Sequence, residues 1–308
     1  MVKDVLVNAK GEVGELNKRQ TIQIDYTQKG VEWMSFELPK IVRSFQYPLH
    51  FIDFETAAIA VPYHTGMRPY EPVAFQWSCH RLDSPGGQLT HSDWINTDDV
   101  FPNFKFAESL MECVGNEGTV FMWATHENTI LRDILRQMSE RKCRNPKLAE
   151  WLTSMVRSDD NPGRLVDLNA LTVRHYFHPL MKGRTSIKKV SDALWQTNPG
   201  LRKAFPEYVK EHDGKLLSPY DSLPPLEIGG ELVAVAEGTG AVRAYEAMVY
   251  GVEKDDLELT EKWKRLLLQY CKLDTLSMVM VWEHWKQMVE GRRENSDARG
   301  PEIESQQY

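Results

Sequence analysis

Tyr47-Pro48-Leu49-His50-Phe51-Ile52-Asp53-Phe54-Glu55-Thr56 is an apolar run interrupted by two carboxylates, and it reads as a buried strand. Asp53 and Glu55 stand two apart. Side chains alternate along a strand with a period of two, so both acids leave from one face. Like charges crowded on one face repel and pay desolvation unless a cation lies between them. Hard divalent cations take oxygen ligands, so the pair is half of a candidate metal site. Acids on a strand also occur because they face water, and the pair alone leaves both readings open.

Downstream, Val61 to Pro69 is rich in turn formers. Pro72 to Arg81 and Leu89 to Ile95 read as two further strands, separated by the Ser84-Pro85-Gly86-Gly87 break. Short connections of this kind imply an antiparallel meander. Phe104, Ala107, Leu110, Met111 and Val114 recur at helical spacing and are closed by Gly115 and Gly118. Thr119 to Thr125 is a continuous apolar strand, the pattern of a strand buried on both faces. A helix opens near Glu127, with Ile130, Leu131, Ile134, Leu135 and Met138 on its apolar side. Alternation of strand and helix predicts an α/β fold with some parallel pairing.

Further helices are expected over Lys147 to Met155, from Leu168 through Val173 to Tyr176, over Ser186 to Trp195 and over Ala241 to Tyr250. Leu165 to Leu168 reads as a short strand. Residues 198–231 hold five prolines and little pattern, so an excursion over the surface is expected. The longest helix runs from about Leu257 to Val289, ended by Gly291, and residues 291–308 read as a disordered tail. Residues 1–45 are polar and mixed. Val5-Leu6-Val7 and Thr21-Ile22-Gln23-Ile24 alternate weakly as short strands in what reads as an N-terminal extension or linker. Residues 46–290 form the domain.

The chain has 308 residues, 42% of them hydrophobic, enough for one large domain or two small ones. No apolar run has bilayer-spanning length, and no secretory leader opens the chain, so a cytoplasmic protein with no membrane partner is expected. Cys79, Cys113, Cys143 and Cys271 are scattered, which argues against zinc and iron–sulfur sites and for free thiols. The net charge of −7 disfavours bulk attraction to nucleic acid, although an acidic metal site contributes to that sum.

Two more acids stand out. In Tyr270-Cys271-Lys272-Leu273-Asp274 the tyrosine and aspartate are four apart, on the helix face that also carries Leu267, Val281 and Trp285. A carboxylate on a core-facing stripe needs a partner, either a metal shared with Asp53 and Glu55 or an arginine or helix terminus. Glu127 sits where a buried strand passes into a helix, a usual ligand position in α/β folds. It also fits a first-turn acid that complements the helix dipole.

Taken together the groups resemble the DEDD exonuclease superfamily, tyrosine subclass, of RNase H-like fold. Asp53 and Glu55 match its first motif. Glu127 with Ile130 and Leu131 matches its second, and Tyr270 with Asp274 its third. The second motif departs from the family, which has Asp after an Asn and an aromatic. Here Glu127 follows Ala124-Thr125-His126, and Asp133 is a rival further along the helix. More narrowly, Arg68-Pro69-Tyr70, Phe75-Gln76-Trp77-Ser78, His178-Pro179, Ser186-Ile187-Lys188 and Tyr270 to Thr275 resemble a bacterial family often joined to a RecB-type nuclease domain. Such a domain or protein is therefore an expected partner.

The resemblance implies a mixed RNase H-like sheet flanked by helices and two Mg²⁺ or Mn²⁺ ions about 3.5–4 Å apart. Asp53, Glu55, Glu127 and Asp274 are then the metal ligands, with Tyr270 orienting the attacking water. The expected activity is 3′–5′ exonuclease hydrolysis of single-stranded DNA or RNA. A catalytically silent nucleic-acid-binding module and a hydrolase of short oligonucleotides are the alternatives. Lys182, Arg184, Lys188 and Lys189 cluster around a helix start and are candidate phosphate contacts, or a solvated basic face. Arg68, with Tyr70 and Thr56 beside the acids, is a candidate contact to a terminal nucleotide. Phe54 and Trp77 fit base stacking or, more simply, core. Asp167 reads as a structural cap, and His126 and His178 have no partner legible in the sequence.

Overall fold

The computed structural model describes residues 14–298 apart from 225, 229–230, 234–237 and 252–253. The chain opens with α1 (Glu15–Lys29), β1 (Trp33–Met34) and α2 (Leu38–Ser44). The meander follows as β2 (Leu49–Ala57), β3 (Val73–Leu82) and β4 (Leu89–Ile95). Next come α3 (Asn103–Val114), β5 (Thr119–Met122), α4 (His126–Glu140), α5 (Pro146–Met155) and β6 (Leu165–Asp167). Then come α6 (Leu168–His175), β7 (Tyr176–Phe177), α7 (Ile187–Thr197) and α8 (Pro199–Ala204). Two small hairpins, β8 (Glu211–His212) with β9 (Lys215–Leu216) and β10 (Leu226–Ile228) with β11 (Glu231–Val233), precede α9 (Gly238–Val249) and α10 (Leu257–Ala298).

Five strands make the central sheet in the order β4-β3-β2-β5-β6. The pairs β2–β3 and β3–β4 are antiparallel, and β2–β5 and β5–β6 are parallel. Helices cover both faces, which makes this the mixed α/β sheet of an RNase H-like arrangement. The period-two argument carries through β2. Leu49 and Phe51 pack in the core beneath α7 and α10, whereas Ile52 and Phe54 pack in the core beneath α3, α4 and α5. Asp53 and Glu55 continue the first series, so both acids face α10. Phe54 and Trp77 are core, at 4% and 3% exposure, and are not open to bases.

Gly118 admits the close parallel pairing of β5 beside β2. It sits at φ +82°, and a Cβ there would lie 1.9 Å from the Pro48 carbonyl oxygen. Only glycine fits such an approach.

The N-terminal residues depart from expectation. Thr21 to Ile24 lie inside α1, not in a strand, because a four-residue alternation is too short to outweigh a fifteen-residue run of mostly helix-compatible residues. Gly30 at φ +66° ends that helix by donating to the Thr27 and, through Val31, the Tyr26 carbonyls. Residues 15–45 are tied to the rest of the domain. β1 pairs with β7, Arg19 donates to the Tyr176 carbonyl at 2.6 Å, and Glu32 accepts from Tyr176 and His284 at 2.6 and 2.8 Å. Leu38 and Val42 of α2 enter the main core, each burial worth roughly 1.5–3 kcal/mol. Val5-Leu6-Val7 lies outside the described residues.

At the other end, α10 runs through Gly291 to Ala298, past the expected stop. A helical glycine costs only about 1 kcal/mol relative to alanine and ends a helix only in a left-handed conformation, which Gly291 does not adopt. The tail expected from 291 is therefore helical up to 298, and residues 299–308 lie outside the described residues. No helix among the described residues is long and apolar enough to cross a membrane.

Candidate functional site

β2 supplies Asp53 and Glu55 beyond the last residue that pairs with β5, Phe51, so the sheet leaves a gap alongside them. β5 ends at Met122 and turns through Ala124, at φ +70°, into the first turn of α4, where Glu127 sits. The Asp167 carboxylate stitches this turn. Its Oδ1 accepts from the Ala124 N–H at 3.1 Å and from the Ala170 N–H at 2.9 Å, so Asp167 is the cap of α6. A bulge between Glu55 and Thr56, where the β3 register skips Phe75, re-aims the end of β2 beside the two acids.

The core-facing stripe of α10 brings Asp274 to the same place. Three polar stitches hold the helix in register over the sheet. Gln76 donates to the Leu267 carbonyl at 2.9 Å, Ser78 and Thr275 share a hydrogen bond at 3.0 Å, and His80 Nδ1 meets Thr275 at 2.7 Å. Gln76 and Ser78 are the direct β3 partners of Glu55 and Asp53. Two stretches singled out in the sequence, Phe75 to Ser78 and Tyr270 to Thr275, are thus halves of one clamp.

Burial raises all four acids, and Asp53, Glu55 and Glu127 are raised further by neighbouring carboxylates. Burial and then the charges of Asp274, Glu127 and Glu55 push the Asp53 carboxyl well above the usual range. Burial and Asp274 push Glu55 up to about 8, against the pull of Lys188. Burial, with Asp167, Asp274 and Glu55, pushes Glu127 up to about 8, although its own backbone N–H opposes the shift. Burial raises Asp274 to about 6, with a Tyr220 hydrogen bond and Lys188 opposing. Glu127 is 2% exposed, and its Oε2 is buried without a hydrogen-bond partner among the described residues. An orphaned carboxylate oxygen amid like charges suits a cation.

The Asp53 and Glu55 oxygens and the Cys271 sulfur lie within 4.8 Å of one another, close enough to share one cation. Cys271 Sγ is 3.4 Å from Asp53 Oδ2. Burial and then the acids push its thiol well above the ordinary range, so without metal it stays protonated and donates to Asp53. Hard oxygens in this number suit Mg²⁺ or Mn²⁺. The Asp53 and Glu55 oxygens therefore fit a divalent cation, and Asp274 and Glu127 stand outside that group but near enough for their charges to act on Asp53.

Sequence reasoning missed Tyr220. Its hydroxyl donates to Asp274 Oδ1 at 2.5 Å, and its ring meets that of Tyr270 edge-on at 6.0 Å. The residue lies in the stretch expected to wander over the surface. That stretch is instead tied down by bonds from Trp195 to the Leu217 carbonyl and from Lys210 to the Ser222 carbonyl. The sequence held no spacing signal for Tyr220, because its partner lies 54 positions away. Burial, followed by the charge of Asp274, raises the phenols of both Tyr220 and Tyr270, so each remains a donor.

The basic candidates divide. Lys188, on the first turn of α7, reaches the site, with Nζ 4.9 Å from the Tyr270 ring and 5.4 Å from that of Tyr220. Lys182 and Arg184 are exposed on the turn leading into α7. Arg68 is not brought to the acids. It pairs with Glu140 at 3.1 Å, and Glu140 lies about 20 Å along α4 from Glu127 at 1.5 Å per residue. Asp133, the rival to Glu127, pairs with Arg136 at 2.7 Å. His126 bonds Thr56 at 3.2 Å, and His178 accepts from the Leu180 N–H at 3.1 Å, so both have structural partners.

Fold and site together define an RNase H-like domain with a carboxylate cluster at the carboxyl end of its central strands. Residues 50–186 match the model of a family described as a domain of unknown function, DUF2779. That span holds Asp53, Glu55 and Glu127 but ends before Lys188, Tyr220, Tyr270 and Asp274. No curated protein and no solved structure matches the chain.

Proposed function

We propose that the chain is a metal-dependent 3′–5′ exonuclease acting on single-stranded nucleic acid, as the resemblance to the DEDD superfamily implies. The observation that carries this reading is the convergence of Asp53, Glu55, Glu127 and Asp274 from three elements, each carboxyl raised by burial and the first three also by neighbouring acids. A buried group of acids with raised pKa values supports a site of chemistry. Asp53, Glu55 and Asp274 would hold one Mg²⁺ or Mn²⁺ ion, and Asp53 with Glu127 a second. Bound there, the ions would lower the pKa of the attacking water and neutralise the phosphodiester. Tyr270, kept protonated, would orient that water by donating or accepting a hydrogen bond and would not act as a base. Lys188 would meet substrate phosphate.

The test is a nuclease assay on single-stranded DNA and RNA with Mg²⁺ or Mn²⁺, comparing the parent with Asp53→Ala and Asp274→Ala. Loss of nucleoside 5′-monophosphate release in both variants is expected, and equal release by all three proteins would refute the assignment. A silent binding module would instead bind oligonucleotide without divalent metal and release nothing. A hydrolase of short oligomers would favour dinucleotides over long strands. A cytoplasmic setting and a RecB-type partner belong to the same proposal.

A further inference from the structure

Of the four free thiols, Cys271 is the one that the fold carries to the acids. Cys79 lies in the apolar core beneath α3, and Cys113 and Cys143 pack against that same core. Cys271 is fully buried on α10, yet it belongs to none of the three apolar clusters among the described residues. Its Sγ lies 3.4 Å from Asp53 Oδ2 and 3.6 Å from the Asp53 carbonyl oxygen. A buried cysteine ordinarily serves as a small hydrophobe. This one has oxygen neighbours instead. Its place is set by the clamp that holds α10 over the sheet, with Gln76 on the Leu267 carbonyl before it and Thr275 on Ser78 and His80 after it.

One oxygen of Asp53, one of Glu55 and the Cys271 sulfur all lie within 4.8 Å of one another. Metal–sulfur and metal–oxygen bonds of about 2.3 and 2.1 Å at a tetrahedral angle put sulfur and oxygen about 3.6 Å apart. The observed 3.4 Å between Cys271 and Asp53 is close to that separation, so the donors are already spaced for a shared cation. Glu127 points the same way from outside the group, with an Oε2 that is buried and unpartnered and a charge that acts on Asp53. Asp274 also stands outside the group and has one oxygen on the Tyr220 hydroxyl.

Two carboxylates and a sulfur are not the donor set of Mg²⁺, which takes oxygen ligands. A thiolate selects a softer cation such as Zn²⁺, and affinity at a given site is lower for Mn²⁺ than for Co²⁺. We propose that Asp53, Glu55 and Cys271 form a three-ligand site for a thiophilic divalent cation, Zn²⁺ or Co²⁺, which it takes in preference to Mg²⁺. The S–H bond breaks as the metal–sulfur bond forms, and the proton passes to solvent. The inference rests on the reading of these acids as a cation site and is independent of the reaction carried out there. Scattered cysteines hide such a site in the sequence, because its other donors are carboxylates.

The experiment titrates Co²⁺ into the full chain, freed of metal with EDTA and kept from air, and follows thiolate-to-Co²⁺ charge-transfer absorption in the near ultraviolet. The parent should develop this absorption to saturation at one equivalent, and added Zn²⁺ should bleach it. Cys271→Ser and Asp53→Asn should each lose it, whereas Cys143→Ser should keep it. Asp53→Asn leaves the thiol in place, so the assignment is tested even where Cys271→Ser fails to fold. By calorimetry, Cys271→Ser should lower Zn²⁺ affinity by at least about ten-fold, a loss that removal of an outer-shell partner alone can cause. Its Mg²⁺ affinity should stay within about two-fold of the parent's, since Mg²⁺ does not use the sulfur. Co²⁺ bound without the absorption, absorption that survives in Asp53→Asn, or a parent that binds Mg²⁺ as tightly as Zn²⁺ would overturn the sulfur ligand and leave the nuclease reading standing on an all-oxygen site. A parent that binds none of Co²⁺, Zn²⁺, Mn²⁺ and Mg²⁺ would remove both.

Discussion

Replacing Glu127 by glutamine in the metal-free protein isolates the energetic burden of the acid cluster. Glutamine keeps the shape and removes the charge from a side chain that is 2% exposed and has one oxygen without a partner. In the folded protein this carboxyl titrates near 8, against 4.5 in an unfolded chain. Between those values the unfolded state has released its proton and the folded state still binds one. Stability therefore falls as pH rises, by about 1.4 kcal/mol per unit for this group. It is unaffected below the unfolded value and fully penalised above the folded one. By pH 7 the penalty reaches roughly 3 kcal/mol. Removing the charge also relieves Asp53, whose carboxyl it raises, which acts in the same direction. Urea unfolding in EDTA at pH 5, 6, 7 and 8 should give parent and variant curves that nearly coincide at pH 5. They should diverge steadily above it, the variant being the more stable by several kilocalories per mole at pH 8. In saturating Mn²⁺ the order should narrow or invert, because cation binding supplies the charge that the cluster lacks. Parallel pH slopes in EDTA, or a variant less stable at pH 8, would refute the placement of Glu127 among these acids.

Mg²⁺ or Mn²⁺ at a hundred times its dissociation constant should stabilise the parent by about 2.7 kcal/mol, and Asp53→Asn should abolish that gain in a thermal-shift titration; an equal gain in the variant would move the cation elsewhere. Gly118→Ala should destabilise the fold by more than about 3 kcal/mol in chemical denaturation, because its Cβ would meet the Pro48 carbonyl at a left-handed backbone position, and a change below about 1 kcal/mol would contradict the β2–β5 packing. Thr275→Val should cost about 1–3 kcal/mol by the same measurement, since it strips a bond from each of the buried Ser78 and His80 side chains. Arg68→Ala should change stability by less than about 1 kcal/mol and leave oligonucleotide affinity unaltered, as its ion pair with Glu140 is at the surface and far from the acids.

Local pattern carried a large share of what this chain is. The alternation in β2 put Asp53 and Glu55 on one face, the i, i+4 spacing joined Tyr270 to Asp274, and the strand-to-helix passage located Glu127. All three are properties of neighbours in the chain, so a period of two or of 3.6 residues expresses them directly. The same local pattern misled at the ends, where four residues of weak alternation hid α1 and a lone glycine was read as the stop of α10.

What no local pattern held was the pairing of parts far apart in sequence. Tyr220 reaches Asp274 across 54 positions and Gln76 reaches Leu267 across 191, and neither contact leaves a periodic trace. The separation of Lys188 from the other basic residues is of the same kind, since four cations within eight positions look alike until the fold turns one of them onto two rings. The sequence by itself determined which side chains carry charge and which face of each element they leave from. Only the tertiary structure decided which of those charges must share one buried space, because repulsion, desolvation and the caging of a cation depend on distances that packing sets.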